Sequence, residues 1–132
     1  MNNSELKGLL RGVNFAVNRE THYKVDYDLY GVEDFWTIMS GRKTAGDCED
    51  YAITKRQRLI DLGVPANDLR LCVCYAPNGE GHAVLTIDIG VVTYVLDNNY
   101  DDLKTYTYLK DAGYQFIARQ AATGYNWVRI AN

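Results

Sequence analysis

The chain has 132 residues, 47% of them hydrophobic, with a formal net charge of -3 and pI near 5.3. That length suits one globular domain, 1–132, with a core large enough to dispense with disulfides, and the acidic balance argues against a nucleic-acid partner, which needs a basic patch or stripe. No apolar stretch approaches the roughly 20 residues that span a bilayer, so no membrane insertion is expected, and the start Met-Asn-Asn-Ser-Glu-Leu-Lys lacks the order of a signal peptide. As written, the chain is expected to be cytoplasmic, or a mature or trimmed form.

In chain order, residues 4–18 are predicted helical, with Ser4 as N-cap and an apolar face from Leu6, Leu9, Leu10, Val13, Phe15 and Val17. An irregular polar stretch holding His22 runs to Tyr30. Glu33 to Met39 is predicted as a short helix, and Ser40 to Gly46 as a loop. At Asp47 a second long helix is expected, with Asp47 as N-cap, acids in the first turn and Gly63, Val64 and Pro65 as its stop. The pattern then changes to period 2 or continuous apolar runs. Strands are predicted at Leu69–Tyr75, His82–Ile89, Val91–Leu96, Tyr114–Ala118 and Tyr125–Ile130, with a polar stretch between Asn98 and Gly113. The short links favour an antiparallel meander. The fold class is therefore α+β, with N-terminal helices packed on one face of an antiparallel sheet of about four or five strands.

Chemistry concentrates in Gly46-Asp47-Cys48-Glu49-Asp50-Tyr51-Ala52. Cys48 would stand in the first turn of a helix, where unpaired backbone N–H groups favour a thiolate and offer donors to an oxyanion. His82 and Asp97 follow at strand positions, on either side of the turn at Gly90, which can make them neighbours across a ladder. An imidazole with reference pKa ~6.5 can move protons near neutrality. Cys48, His82 and Asp97 are thus candidate catalytic residues, although any of them could serve structure alone. Cys72 and Cys74, two apart on one strand, share a face and are expected to be inert core thiols; the C-x-C pair is poor zinc spacing. His22 has no comparable context, and Trp36 is expected in the core.

The order of these segments resembles the bacterial transglutaminase-like cysteine proteinases, the papain-like family that includes LapG-type periplasmic proteases. The resemblance is carried by Val13-Asn14 and Val17-Asn18, Asp34-Phe35-Trp36, the Gly46–Ala52 run, Leu62-Gly63-Val64-Pro65, Gly81-His82-Ala83-Val84-Leu85 and Val95-Leu96-Asp97-Asn98. It implies a papain-like fold in which Cys48 is the nucleophile, His82 the base and later acid, and Asp97 the group that orients the imidazole. It also implies a protein or peptide substrate and, in LapG-type members, a calcium ion held by acids flanking the cysteine. Asp47 and Glu49 match those positions. Calcium takes about 6 to 8 oxygens, so Asp50, Asn98, Asn99, backbone carbonyls or water would have to complete the shell. Residues 37–44 depart from the family pattern, and the missing export signal would suit a phage or prophage protein. The expected activity is amide hydrolysis through a thioester. Transglutaminase or glutamine deamidase activity with the same triad is the alternative, as is a non-catalytic module whose eleven tyrosines give an adhesive surface.

Overall fold

The computed structural model describes residues 1–20, 47–124 and 126–131, and of Asp47 the backbone alone. The expected helix at 33–39, the loop at 40–46, His22 and Trp36 lie outside the described residues. Helix α1 is Asn3–Asn18, helix α2 is Asp47–Asp61, and a 3-10 turn at Ala66–Asp68 leads into strand β1, Leu69–Tyr75. Strands β2 (Gly81–Ile89), β3 (Val92–Leu96) and β4 (Lys104–Thr105) follow, then helix α3 (Tyr106–Asp111) and strands β5 (Gln115–Gln120) and β6 (Trp127–Arg129).

Local chemistry explains most of these boundaries. The N-cap of α1 is Asn2 rather than Ser4: Asn2 is extended, and its Oδ1 accepts the Glu5 N–H at 2.8 Å, which leaves Ser4 inside the helix. α2 ends in a Schellman arrangement, with the Val64 N–H on the Leu59 carbonyl and the Gly63 N–H on the Ile60 carbonyl, both at 3.0 Å. Gly63 sits there at φ +102°, the left-handed region that glycine enters without a Cβ penalty. β2 and β3 are joined by the two-residue loop Gly90-Val91, with Gly90 at φ +63°, and this fixes their register.

The sheet has six antiparallel strands in the order β4-β3-β2-β1-β5-β6. It exceeds the expected four or five because the polar stretch after Asn98 contains β4 and α3. Residues 104 and 105 are too few to show an alternation, and Thr105 caps α3 by accepting the Tyr108 N–H. Nor is the topology a plain meander, since β5 crosses back to pair with β1 on its free side.

Both faces of the sheet are covered. On one, α1 and α2 bury Leu10, Val13, Val17, Ala52, Ile53 and Leu59 against Leu71, Val73, Leu85 and Ile87. On the other, Leu109 of α3 packs with Cys72, Cys74, Val84, Val95, Tyr114 and Phe116. Cys72 and Cys74 do share a face, as their spacing requires. No helix among the described residues is long and apolar enough to cross a membrane.

Candidate active site

The site forms at one end of the sheet, where α2 and β2 begin and β3 ends. Cys48 stands in the first turn of α2, 8% exposed, with α2 lying against β2. There it lies close enough to His82, the second residue of β2, to help raise the imidazole's pKa. Asp97 is the first residue after β3. Leu85 pairs with Leu96, so Asp97 lies beyond the last rung and diagonal to His82, within reach across the ladder. His82 Nε2 and Asp97 Oδ1 are 2.7 Å apart, and both side chains are buried, 7% and 0% exposed.

The carboxylate is held on both oxygens. Oδ1 accepts from His82 and from the Asn99 backbone N–H at 2.9 Å; Oδ2 accepts from the Tyr114 hydroxyl at 2.7 Å. Asn99 Nδ2 in turn donates to the Tyr114 oxygen at 3.2 Å. From α1, Asn18 Nδ2 donates to the carbonyls of Asp97 (3.1 Å) and Tyr100 (2.9 Å), and Asn14 Nδ2 to those of Tyr100 (2.9 Å) and Asp101 (3.1 Å). The turn carrying Asp97 is therefore fastened to α1 through its backbone, one helical turn apart on the same face.

Electrostatics follow from these contacts. Burial raises the Asp97 pKa, but the hydrogen bond and charge of His82, with the donors from Asn99 and Tyr114, outweigh it and hold the carboxyl below its usual value. Burial likewise opposes charge on His82, yet the hydrogen bond to Asp97, with the influence of Cys48 and the charge of Asp97, lifts its pKa to about 9. With Asp97 ionised, Nε2–H is the donor in that pair, which leaves Nδ1 as the ring nitrogen available to take a proton. Burial pushes the Tyr114 phenol above its ordinary range, so it stays protonated and donates. Cys72 and Cys74 are 1% and 0% exposed; burial pushes the first to about 12 and the second well above the ordinary thiol value. They are inert by the same physics that protonates them.

Of the expected calcium ligands, Glu49 and Asp50 are both buried, whereas the Asp47 side chain lies outside the described residues. Among the described residues no group of three or more His, Cys, Asp and Glu side chains converges as a metal site. Asn98 Oδ1 is buried with no hydrogen-bond partner among them, a hard oxygen of the kind calcium accepts.

The model for the bacterial transglutaminase-like cysteine proteinases matches residues 1–132. The chain belongs to that family. Among solved structures it is similar to calcium-bound LapG of Legionella pneumophila, with 24% identity over 96% of this chain and 72% of LapG, TM-score 0.65. EGTA-treated LapG of the same organism matches at 24% identity over 90% of this chain and 65% of LapG, TM-score 0.64, and a further LapG structure gives the same values. In these the chain spans just under two thirds of LapG, and the likeness is one of fold. No curated protein matches by sequence. Within this proteinase fold, sequence reading missed Tyr114, Lys55, and the work of Asn14 and Asn18. The two asparagines sit at i, i+4 on α1 and Lys55 is a charge on an apolar stripe, both readable signals; Tyr114, at the start of a strand, gives none.

Proposed function

We propose that the chain is a thiol-dependent hydrolase, a cysteine endopeptidase acting on a protein or peptide through Cys48, His82 and Asp97. The observation that carries this reading is the buried His82–Asp97 pair, 2.7 Å apart, set near Cys48 of the first turn of α2 so that Asp97 and Cys48 both raise the imidazole's pKa. The Cys48 proton passes to His82, and the thiolate attacks the amide carbonyl carbon. Backbone N–H groups of the first turn of α2 face the developing oxyanion. As the C–N bond breaks, imidazolium gives its proton to the leaving amine, and a thioester remains on Cys48. Water, deprotonated by His82, then attacks the thioester; the acid product leaves and the thiol is restored. Asp97 stays ionised throughout and fixes the ring.

Calcium belongs to the same reading, with Asp47 and Glu49 as ligands and Asn98 as a further oxygen. Bound there it would supply fixed positive charge beside the nucleophile and order the start of α2. The reading rests on the donor chemistry of these side chains and on a calcium-bound relative.

The test is iodoacetamide labelling at about pH 6, where an ordinary thiol of pKa ~8.5 reacts slowly. Cys48 is expected to label far faster than Cys72 and Cys74, to lose that advantage in His82→Ala, and to support peptide cleavage that Cys48→Ser abolishes. Slow labelling of all three thiols would favour a binding module on the same fold. Amine incorporation without cleavage would instead identify a transglutaminase.

A further inference from the structure

α2 turns an apolar stripe toward the core, and one of its members is a lysine. Cys48, Ala52, Lys55 and Leu59 recur at i, i+4, i+7 and i+11, within an arc of about 60° on the helix. The other three belong to the main core, and Lys55 among them is 0% exposed. A lysine normally extends its ammonium to water. Here Nζ is buried with no hydrogen-bond partner among the described residues, and the Tyr51 ring centroid lies 5.9 Å away. Burial brings its pKa down to about 7, against the pull of Asp97 and Asp101.

The neighbours give this charge a direction. Long helical side chains lean toward the helix N-terminus, which for Lys55 is the end bearing Cys48. The carboxylates acting on it, Asp97 and Asp101, bracket the turn that Asn14 and Asn18 hold from α1. The Oδ1 atoms of both asparagines are buried without hydrogen-bond partners among the described residues, as is Lys55 Nζ, whose charge is felt by the carboxylates at both ends of this turn. Asp101 already has Arg19 at 2.9 Å, whereas the ion pair of Asp97 among the described residues is with His82, its other partners being neutral donors. A stripe position that any apolar residue would fill at lower cost is instead given to a cation, which marks function over stability.

We propose that Lys55 is a positioning residue for the triad: its ammonium, held in the core beside the Asp97–Asp101 turn, balances those carboxylates and keeps Asp97 aligned on His82. The role rests on the triad reading above. With thiolate, imidazolium and carboxylate present together the triad carries one net negative charge, which the Lys55 ammonium offsets from within the core.

Lys55→Met keeps the length of the stem and removes the charge, whereas Lys55→Arg keeps the charge. The readouts are the iodoacetamide labelling rate of Cys48 at about pH 6 and the Tm of each protein. Lys55→Met is expected to label Cys48 about tenfold more slowly while its Tm holds or rises, because an unpaired buried charge has gone. Lys55→Arg is expected to stay within about threefold of wild type. Wild-type labelling in Lys55→Met overturns the proposal. So does slower labelling with a lower Tm, the behaviour of a packing residue. Wild-type Cys48 that labels no faster than Cys72 overturns the triad reading itself, whatever the Lys55 variants do, and this role falls with it.

Discussion

The Tyr114 hydroxyl donates to Asp97 Oδ2 at 2.7 Å while its ring meets the His82 imidazole edge-on, centroids 6.1 Å apart. One side chain from the start of β5 thus touches two members of the proposed triad, fixing the carboxylate by hydrogen bonding and walling the imidazole by packing. The crossover of β5 to the free side of β1 is what brings Tyr114 there, since Cys74 pairs with Phe116, two residues after Tyr114, on one side and with His82 on the other.

Tyr114→Phe keeps the ring and removes the donor. It leaves one buried oxygen of Asp97 and the Asn99 amide short of a partner, at an expected cost of about 1–2 kcal/mol in urea unfolding. Cys48 labelling at about pH 6 should fall several-fold, because a carboxylate held at one oxygen can rotate away from His82. Unchanged stability and labelling would show that the hydroxyl is idle.

The Asp97–Asp101 turn has two kinds of fastening, and their magnitudes differ. Asn14 is fully buried and donates to two carbonyls, whereas the Arg19–Asp101 ion pair is half exposed on both sides. Asn14→Ala is expected to cost about 2 kcal/mol, since a fully buried side chain that donates to two carbonyls is lost, and Arg19→Ala much less, since solvent screens its ion pair. Asn14→Asp should be worse than alanine, because it aims a carboxylate at those carbonyl oxygens. Chemical denaturation of the three variants ranks them; a larger loss for Arg19→Ala would reverse the account.

How much of this was legible in the sequence depends on whether a signal was local. Cys48 at a helix start, the stop at Gly63, and the hairpin about Gly90 that brings His82 near Asp97 all follow from nearest-neighbour chemistry. β4 and α3 do not, because Lys104-Thr105 is too short for a period and is fixed by pairing with Tyr94 and Val95. Tyr114 reaches Asp97 only through a crossover that no spacing announces. Lys55 was legible in principle, as a cation on the stripe of Cys48 and Leu59, but a single charge on a helix reads as a solvated face until burial is known.

Calcium makes a separate prediction. If Asp47 and Glu49 hold the ion, millimolar calcium should raise Tm over an EGTA-treated sample, since a ligand at about 100 times its Kd adds about 2.7 kcal/mol. Glu49→Gln should abolish that rise and slow Cys48 labelling with calcium present. Equal Tm values with calcium and with EGTA would remove calcium from the reading and leave the thiol chemistry intact.

Stability should also report the state of His82. Its pKa rises from a reference of ~6.5 to about 9, so the folded protein binds that proton more tightly than the unfolded chain does. The contribution is complete below ~6.5 and is lost as pH climbs through 9. Lys55 works with the opposite sign: lowered to about 7, it lets stability rise from there toward ~10.4, so the total curve hides His82. The comparison that isolates it is Cys48→Ser against Cys48→Ser/His82→Gln, which removes the thiol titration and keeps the Asp97 hydrogen bond, the larger of the causes that raise His82. Urea unfolding from about pH 5.5 to 9.5 is expected to give a free-energy difference that is level at the acid end and shrinks toward the alkaline end, by less than the roughly 3 kcal/mol of the full shift because the Cys48 contribution is gone. A difference that stays level to pH ~9.5 would mean that His82 titrates near its ordinary value and that Asp97 does not hold an imidazolium.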